Sequence, residues 1–142
     1  MPLSYIKKSK IDNNKTHIGY KLFCIHNNKL YGILGKYEKN HMFHKTRWNI
    51  DTQHHITVAM DGEEYENGFH LFRDWEAAYF ICLEWLGSNK NWKVYKVKYT
   101  NIVATGTEWD YNIDVVKKFK ILRDITPKKV SNSIYSTIPK GV

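Results

Sequence analysis

The residues with the clearest chemical pattern are lysines set among aromatic and apolar side chains. Lys93-Val94-Tyr95-Lys96-Val97-Lys98 and Val116-Lys117-Lys118-Phe119-Lys120 alternate charge with bulk over two stretches that read as adjacent strands. Ammonium groups interleaved with rings suit a ligand with phosphates and stackable bases. The predicted binding residues are therefore Lys93, Tyr95, Lys96, Lys98, Lys117, Lys118 and Lys120. Their predicted partner is anionic: nucleic acid, a nucleotide or an acidic protein face. The competing reading is that these lysines only solvate the surface. Arginine, which holds phosphate through a rigid fork, occurs only at positions 47, 73 and 123.

Other groups with chemical potential form weaker patterns. His41 and His44 are three apart and His54-His55 follow, but no paired cysteines or acid complete a zinc ligand set. No metal or cofactor is expected. Gly68-Phe69-His70 precedes a predicted helix. The glycine would let the backbone approach a neighbour or a ligand, while the plain reading makes Phe69 and Leu71 core residues of a strand. The sequence shows no glycine-rich phosphate loop, serine elbow or Cys–His nucleophile pattern. Cys24 and Cys82 fall on apolar faces of a predicted strand and helix. That placement suits buried thiols in a reducing compartment, with a single disulfide as the alternative.

A chain of 142 residues is the size of one domain with a real core. Its 15% aromatic content separates it from disordered compositions. Charge is unevenly spread, at +8 over residues 1–48, −6 over 49–91 and +6 over 92–142. A basic start and end around an acidic middle would give a polarised surface that draws in anions. Prolines occur only at 2, 127 and 139. The predicted organisation is a basic arm at 1–16, a single domain over 17–126 and a tail at 127–142, with the arm and tail loosely held. No apolar run approaches the about 20 residues that a membrane helix needs. No membrane partner is expected, and the expected location is intracellular or in a virion.

The elements that must position these groups centre on one helix. Asp74 is a good N-cap, and Glu76 favours the positive end of the helix dipole. Trp75, Ala78, Tyr79, Cys82 and Leu86 recur at helical spacing, with Ile81 and Trp85 widening the face. A helix at 75–86, closed by Gly87, is predicted to be buried on more than one side against a sheet. Ile18–His26 alternates, with Tyr20, Leu22 and Cys24 on one face and Lys21, Phe23 and Ile25 on the other. Asn27-Asn28 then offers a hairpin turn into Leu30–Leu34. Residues 36–53 have no clear period. His54–Met60 reads as a strand ending at Asp61-Gly62. Trp92–Tyr99, then Ile102–Ala104 before a Thr105-Gly106-Thr107 turn, and 113–123 supply the later strands. The predicted class is α+β, with a mainly antiparallel sheet packed on one main buried helix.

Two resemblances follow from these residues. Gly-Phe-His-Leu-Phe, the helix with Ala77-Ala78, Val94–Tyr99, Ile102-Val103-Ala104-x-Gly106 and Val115–Leu122 resemble a layout in small uncharacterised phage and large-virus proteins. The match covers about residues 68–125. It implies a viral or prophage origin and a shared fold, and it carries no known activity. Taken with the lysine pattern, the expected role is a viral accessory or virion-associated protein acting by binding, with a homo-oligomer or viral assembly as a structural alternative. A second resemblance is to ADP-ribosyltransferase-like folds, in which a Gly-aromatic strand leads into a helix with small residues. It implies a late glutamate that positions a ribose. Glu108 is the only glutamate after Glu84, and His70 would share its site, with Arg47 or His55 as the opening residue. Two His-x-Thr units, His44-Lys45-Thr46 and His55-Ile56-Thr57, also resemble the element of two-histidine phosphoesterases. They lie close together, without the repeated lobes of that family.

Overall fold

A computed structural model describes residues 3–9, 15–33, 42–86 and 91–126. Its frame is two long strands, β9 (Trp92–Glu108) and β10 (Tyr111–Asp124), paired antiparallel along most of their length. The free edge of β9 is divided between two partners. β2 (His17–His26) takes its first half, from Cys24↔Trp92 to His17↔Tyr99. β1 (Tyr5–Ser9) takes its second half, from Ser9↔Ala104 to Tyr5↔Thr107. β8 (Phe69–Phe72) lies on the other edge of β10, and it meets β2 at Tyr20↔Phe72. The pairings therefore close a ring, β9–β10–β8–β2–β9. One link of that ring is a single residue pair.

β2 turns through Asn27 and Asn28, both at positive φ, into β3 (Lys29–Tyr31). This is the hairpin its two asparagines predict, since both central residues of that turn type need a left-handed backbone. Leu34, Gly35 and His41 lie outside the described residues. Short strands β4 (Met42–Phe43) and β5 (Asn49–Ile50) extend the sheet along β3 and β10. A separate hairpin joins β6 (Ile56–Val58) to β7 (Glu64–Glu66). Its turn at Asp61-Gly62 has Gly62 at positive φ, as expected.

The predicted turn at Thr105-Gly106-Thr107 is absent, because β9 runs straight through it. Gly106 serves a close approach instead: a Cβ there would lie 1.9 Å from the Tyr5 carbonyl oxygen, so only glycine lets β1 cross. The chain reverses two residues later, at Trp109 and Asp110, both at positive φ. That shift makes Glu108 the last residue of a sheet strand. Residues 3–9 also differ from the expected loose arm. Leu3 is fully buried, its amide donates to the Tyr65 hydroxyl, and β1 pairs with β9 through four residues, with an irregularity at Lys7. The remainder of the arm at 10–14 and the tail at 127–142 lie outside the described residues.

The antiparallel sheet dominates the structure, and the one helix among the described residues, α1 (Trp75–Leu86), packs against β2 and β9. Ala77, Ala78, Tyr79, Ile81 and Cys82 are buried with Tyr20, Leu22 and Val94 of those strands. Tyr79 donates its hydroxyl to the Ile125 carbonyl, pinning the helix to the end of β10. Trp75 packs edge-on against Tyr79. The side chains of Trp85 and Leu86, expected on the same face, lie outside the described residues. Across the sheet a second core forms from Phe23, Leu71, Val97, Tyr99, Val116 and Phe119. Each such side chain contributes roughly 1.5–3 kcal/mol on full burial. Both cysteines are buried and unbridged.

Candidate functional site

The seven predicted binding residues do not form one surface. Lys117 is buried: its ammonium donates to the backbone carbonyls of Gln53 and Asn67 and lies 3.4 Å from the Asp51 carboxylate. Those contacts staple the 51–53 and 66–68 connections onto β10, so Lys117 is a structural residue. Along β10 residues 117, 119 and 121 share the buried face, so alternation itself turns Lys117 inward beside Phe119 and Ile121. Lys93 pairs with Asp124 at 3.4 Å, and Tyr95 packs edge-on against Phe23 on the inner face. Tyr95 is thus turned toward the inner face, while Lys93 stays partly exposed in a surface ion pair.

Lys98, Lys118 and Lys120 do share a face. Directly opposed residues in an antiparallel ladder point the same way, and the registers give two outward rows. One row is Ile18 on β2, Lys98 on β9 and Lys120 on β10. The next is Thr100 on β9, Lys118 on β10 and Ile50 on β5. Lys96 is one step along β9 from Lys98, toward the end covered by α1. Ile18 and Ile50 are 46% and 57% exposed. Lys98 faces Lys120 directly, an arrangement that costs stability. Among the described residues no carboxylate lies within ion-pair distance of Lys98, Lys118 or Lys120.

Trp48 completes this face, and the sequence offered no period to find it. The buried Asn49 side chain accepts from the His44 amide at 2.7 Å and donates to the His44 carbonyl at 3.1 Å. It thereby closes the loop 44–49 and sets Trp48 beside the strands. The Lys118 and Lys98 ammonium groups lie 5.0 and 5.5 Å from the Trp48 ring centroid, within cation–π range. Arg47 precedes it on the same loop.

A second site lies where the ring is weakest. β2 and β8 part on either side of Tyr20↔Phe72, and a cavity of about 340 Å³ opens at the seam. Lys21 from β2 reaches across it and donates to the His70 carbonyl on β8 at 3.1 Å. His70 Nδ1 lies 3.0 Å from Glu108 Oε2, with both side chains largely buried. Lys21, His70 and Glu108 all line the cavity, with Phe43, Phe69 and Trp109 among its walls. Burial drives the Lys21 ammonium down to about 8, against a weaker opposing pull from Glu108. In sequence Lys21 shares a strand face with Phe23 and Ile25, and a lysine among apolar neighbours was the available signal.

The expected histidine patterns do not converge. His55 is exposed and bonds Gln53, and His54 bonds Glu66. No group of three potential metal ligands occurs among the described residues, and none of their helices is long and apolar enough to cross a membrane. No protein-family model, curated protein or solved structure matches the chain.

Proposed function

We propose that this protein binds single-stranded nucleic acid across the outer face of β2, β9, β10 and β5. The observation that carries this reading is Trp48 standing against both Lys98 and Lys118, with Lys120 facing Lys98 and no acid in pairing distance among the described residues. A ring flanked by ammonium groups accepts a base on its face and phosphates on either side. Ile18 and Ile50 add apolar ground at the margins. Like charges held opposite each other reduce stability, and a polyanion is the partner that reverses the effect. The test is a salt titration of a fluorescent single-stranded oligonucleotide. Changing Lys98 and Lys118 to Ala should reduce the slope of log K against log salt by about 1.4, at about 0.7 per phosphate contact. Trp48→Ala should remove about 1–3 kcal/mol of stacking with little change in slope. Absence of salt-dependent binding at low ionic strength overturns the proposal.

A second reading, an ADP-ribosyltransferase-like enzyme, is favoured by one observation: His70 and Glu108 meet at 3.0 Å in a cavity. Neither candidate for its opening residue, Arg47 or His55, lines that cavity. Glu108→Gln should leave oligonucleotide affinity unchanged under the first reading, because Glu108 lies apart from the basic rows.

A further inference from the structure

We infer that the seam cavity between β2 and β8 is a binding site for a small oxyanion, a carboxylate or phosphate monoester on a compact apolar body. The inference rests on bonding capacity left over at the cavity wall. An ammonium group has three N–H donors. Among the described residues, the one hydrogen-bond acceptor that Lys21 meets is the His70 carbonyl. The rest of its surroundings are ring faces, with Phe43 and Phe23 centroids at 5.6 and 5.8 Å. Rings are weak partners beside a charged acceptor. Glu108, the nearest acid, is engaged by His70 Nδ1 and makes no ion pair with Lys21.

His70 adds a second unused group. Because a carboxylate accepts, Nδ1 carries the hydrogen, and Nε2 is left without a protein partner among the described residues. Nε2 is not sealed from solvent either, since it is absent from the fully buried polar atoms that lack a bond. With Nδ1 donating to Glu108, Nε2 is an acceptor for a hydroxyl on the ligand. Lys21 from β2 and His70 from β8 thus bring a spare donor and a spare acceptor to the wall of one cavity. The remaining wall is mostly apolar, with Leu22, Phe69, Phe72 and Ile113 among its residues and Asn67 as a further polar one. A few convergent polar groups in an otherwise apolar cavity of this size are the usual make-up of a small-molecule site. The lowered proton affinity of Lys21 has the same origin, a desolvated charge without a close counter-ion.

The site is independent of the nucleic-acid face, and the experiment keeps them apart. The whole protein is titrated with benzoate, phenyl phosphate and the uncharged isostere benzamide, following backbone amide shifts at neutral pH. Saturable shifts at Lys21, Gly68, His70 and Glu108 are expected with benzoate, phenyl phosphate or both, and the comparison shows which oxyanion fits. Benzamide should bind at least about ten-fold more weakly, the value of one charged hydrogen bond. Lys21→Met should weaken the anion by a similar factor, and Trp48→Ala should not. Calorimetry of the wild-type protein at pH 8, in buffers of different ionisation enthalpy, supplies a readout that no variant's folding affects. Lys21 is about half protonated there, so each bound anion should draw in up to about half a proton. Equal binding of benzamide, shifts confined to the Lys98–Trp48 face, no binding of either anion, or no proton uptake would each overturn the inference.

Discussion

Lys21 carries a charge that the folded state resists, and that resistance has a direction in pH. Its proton affinity is lowered from the ordinary 10.5 to about 8 by burial. Below pH 8 it is charged in both states, and folding bears the full desolvation penalty. Between about 8 and 10.5 the unfolded chain binds the extra proton, so stability rises with pH. At about 1.4 kcal/mol per pH unit the gain approaches 3 kcal/mol. The buried tyrosines act oppositely and later. Tyr20, Tyr65, Tyr79, Tyr95 and Tyr99 are all raised, chiefly by burial, so their contribution is present below pH 10 and is lost above it. Denaturant melts should therefore show stability climbing from pH 7 to 9.5 and falling by pH 11, with the climb missing in Lys21→Met. A flat profile in the wild type would contradict the buried ammonium. Tyr99 also donates to the buried Asp114 carboxylate at 2.6 Å. Tyr99→Phe leaves that acid short of a donor, and a loss of about 1–3 kcal/mol is expected in the same melts. The Cys82 thiol is pushed up to about 12, mainly by burial. Ellman's reagent should leave it unmodified in the native protein and react only on unfolding.

At the scale of elements, β1 depends on one glycine of its neighbour. Gly106→Ala places a methyl group into the Tyr5 carbonyl, and the strand that can yield is the short one. The expected outcome is rapid hydrogen exchange at Tyr5–Ser9, while the β9–β10 amides stay protected. Retained protection of β1 would mean that the crossing tolerates a side chain. The same glycine shows where sequence reading stops. Alternation in Ile18–His26 and at 113–123, the helical spacing after Asp74 and the Asn-Asn turn are local signals, and each gave the right element. Thr105-Gly106-Thr107 looks like a turn locally, yet its glycine answers a strand a hundred residues away. Tyr5–Ser9 has too few apolar residues to advertise a strand, and its pairing comes from β9. Among site residues, Lys98, Lys118 and Lys120 were legible as alternation, and Lys117 belongs by the same alternation to the buried face of Phe119 and Ile121, where its charge masked its position. Trp48 depends on Asn49 closing a loop, and the Lys21–His70–Glu108 grouping depends on ring closure. Both are products of tertiary geometry.

In the molecule as a whole, β9 and β10 are the hub onto which the earlier strands assemble. A chain ended at residue 110 lacks β10, the partner of β5, β8 and β9. It should show no dispersed amide spectrum. A folded 1–110 fragment would refute the hub. The order of the hub in the sequence has a consequence for biosynthesis. β1 and β2 emerge first, but the edges that complete their ladders are residues 92–107. The ribosome adds about 5–20 residues per second, so both strands wait several seconds or longer with open edges before their partner exists. During that interval Phe23, Cys24 and Ile25 are exposed to any other nascent strand. The ten Lys and Arg among the first 48 residues are then neighbours of an unpaired strand, and their mutual repulsion keeps separate chains from joining edge to edge until the hub arrives.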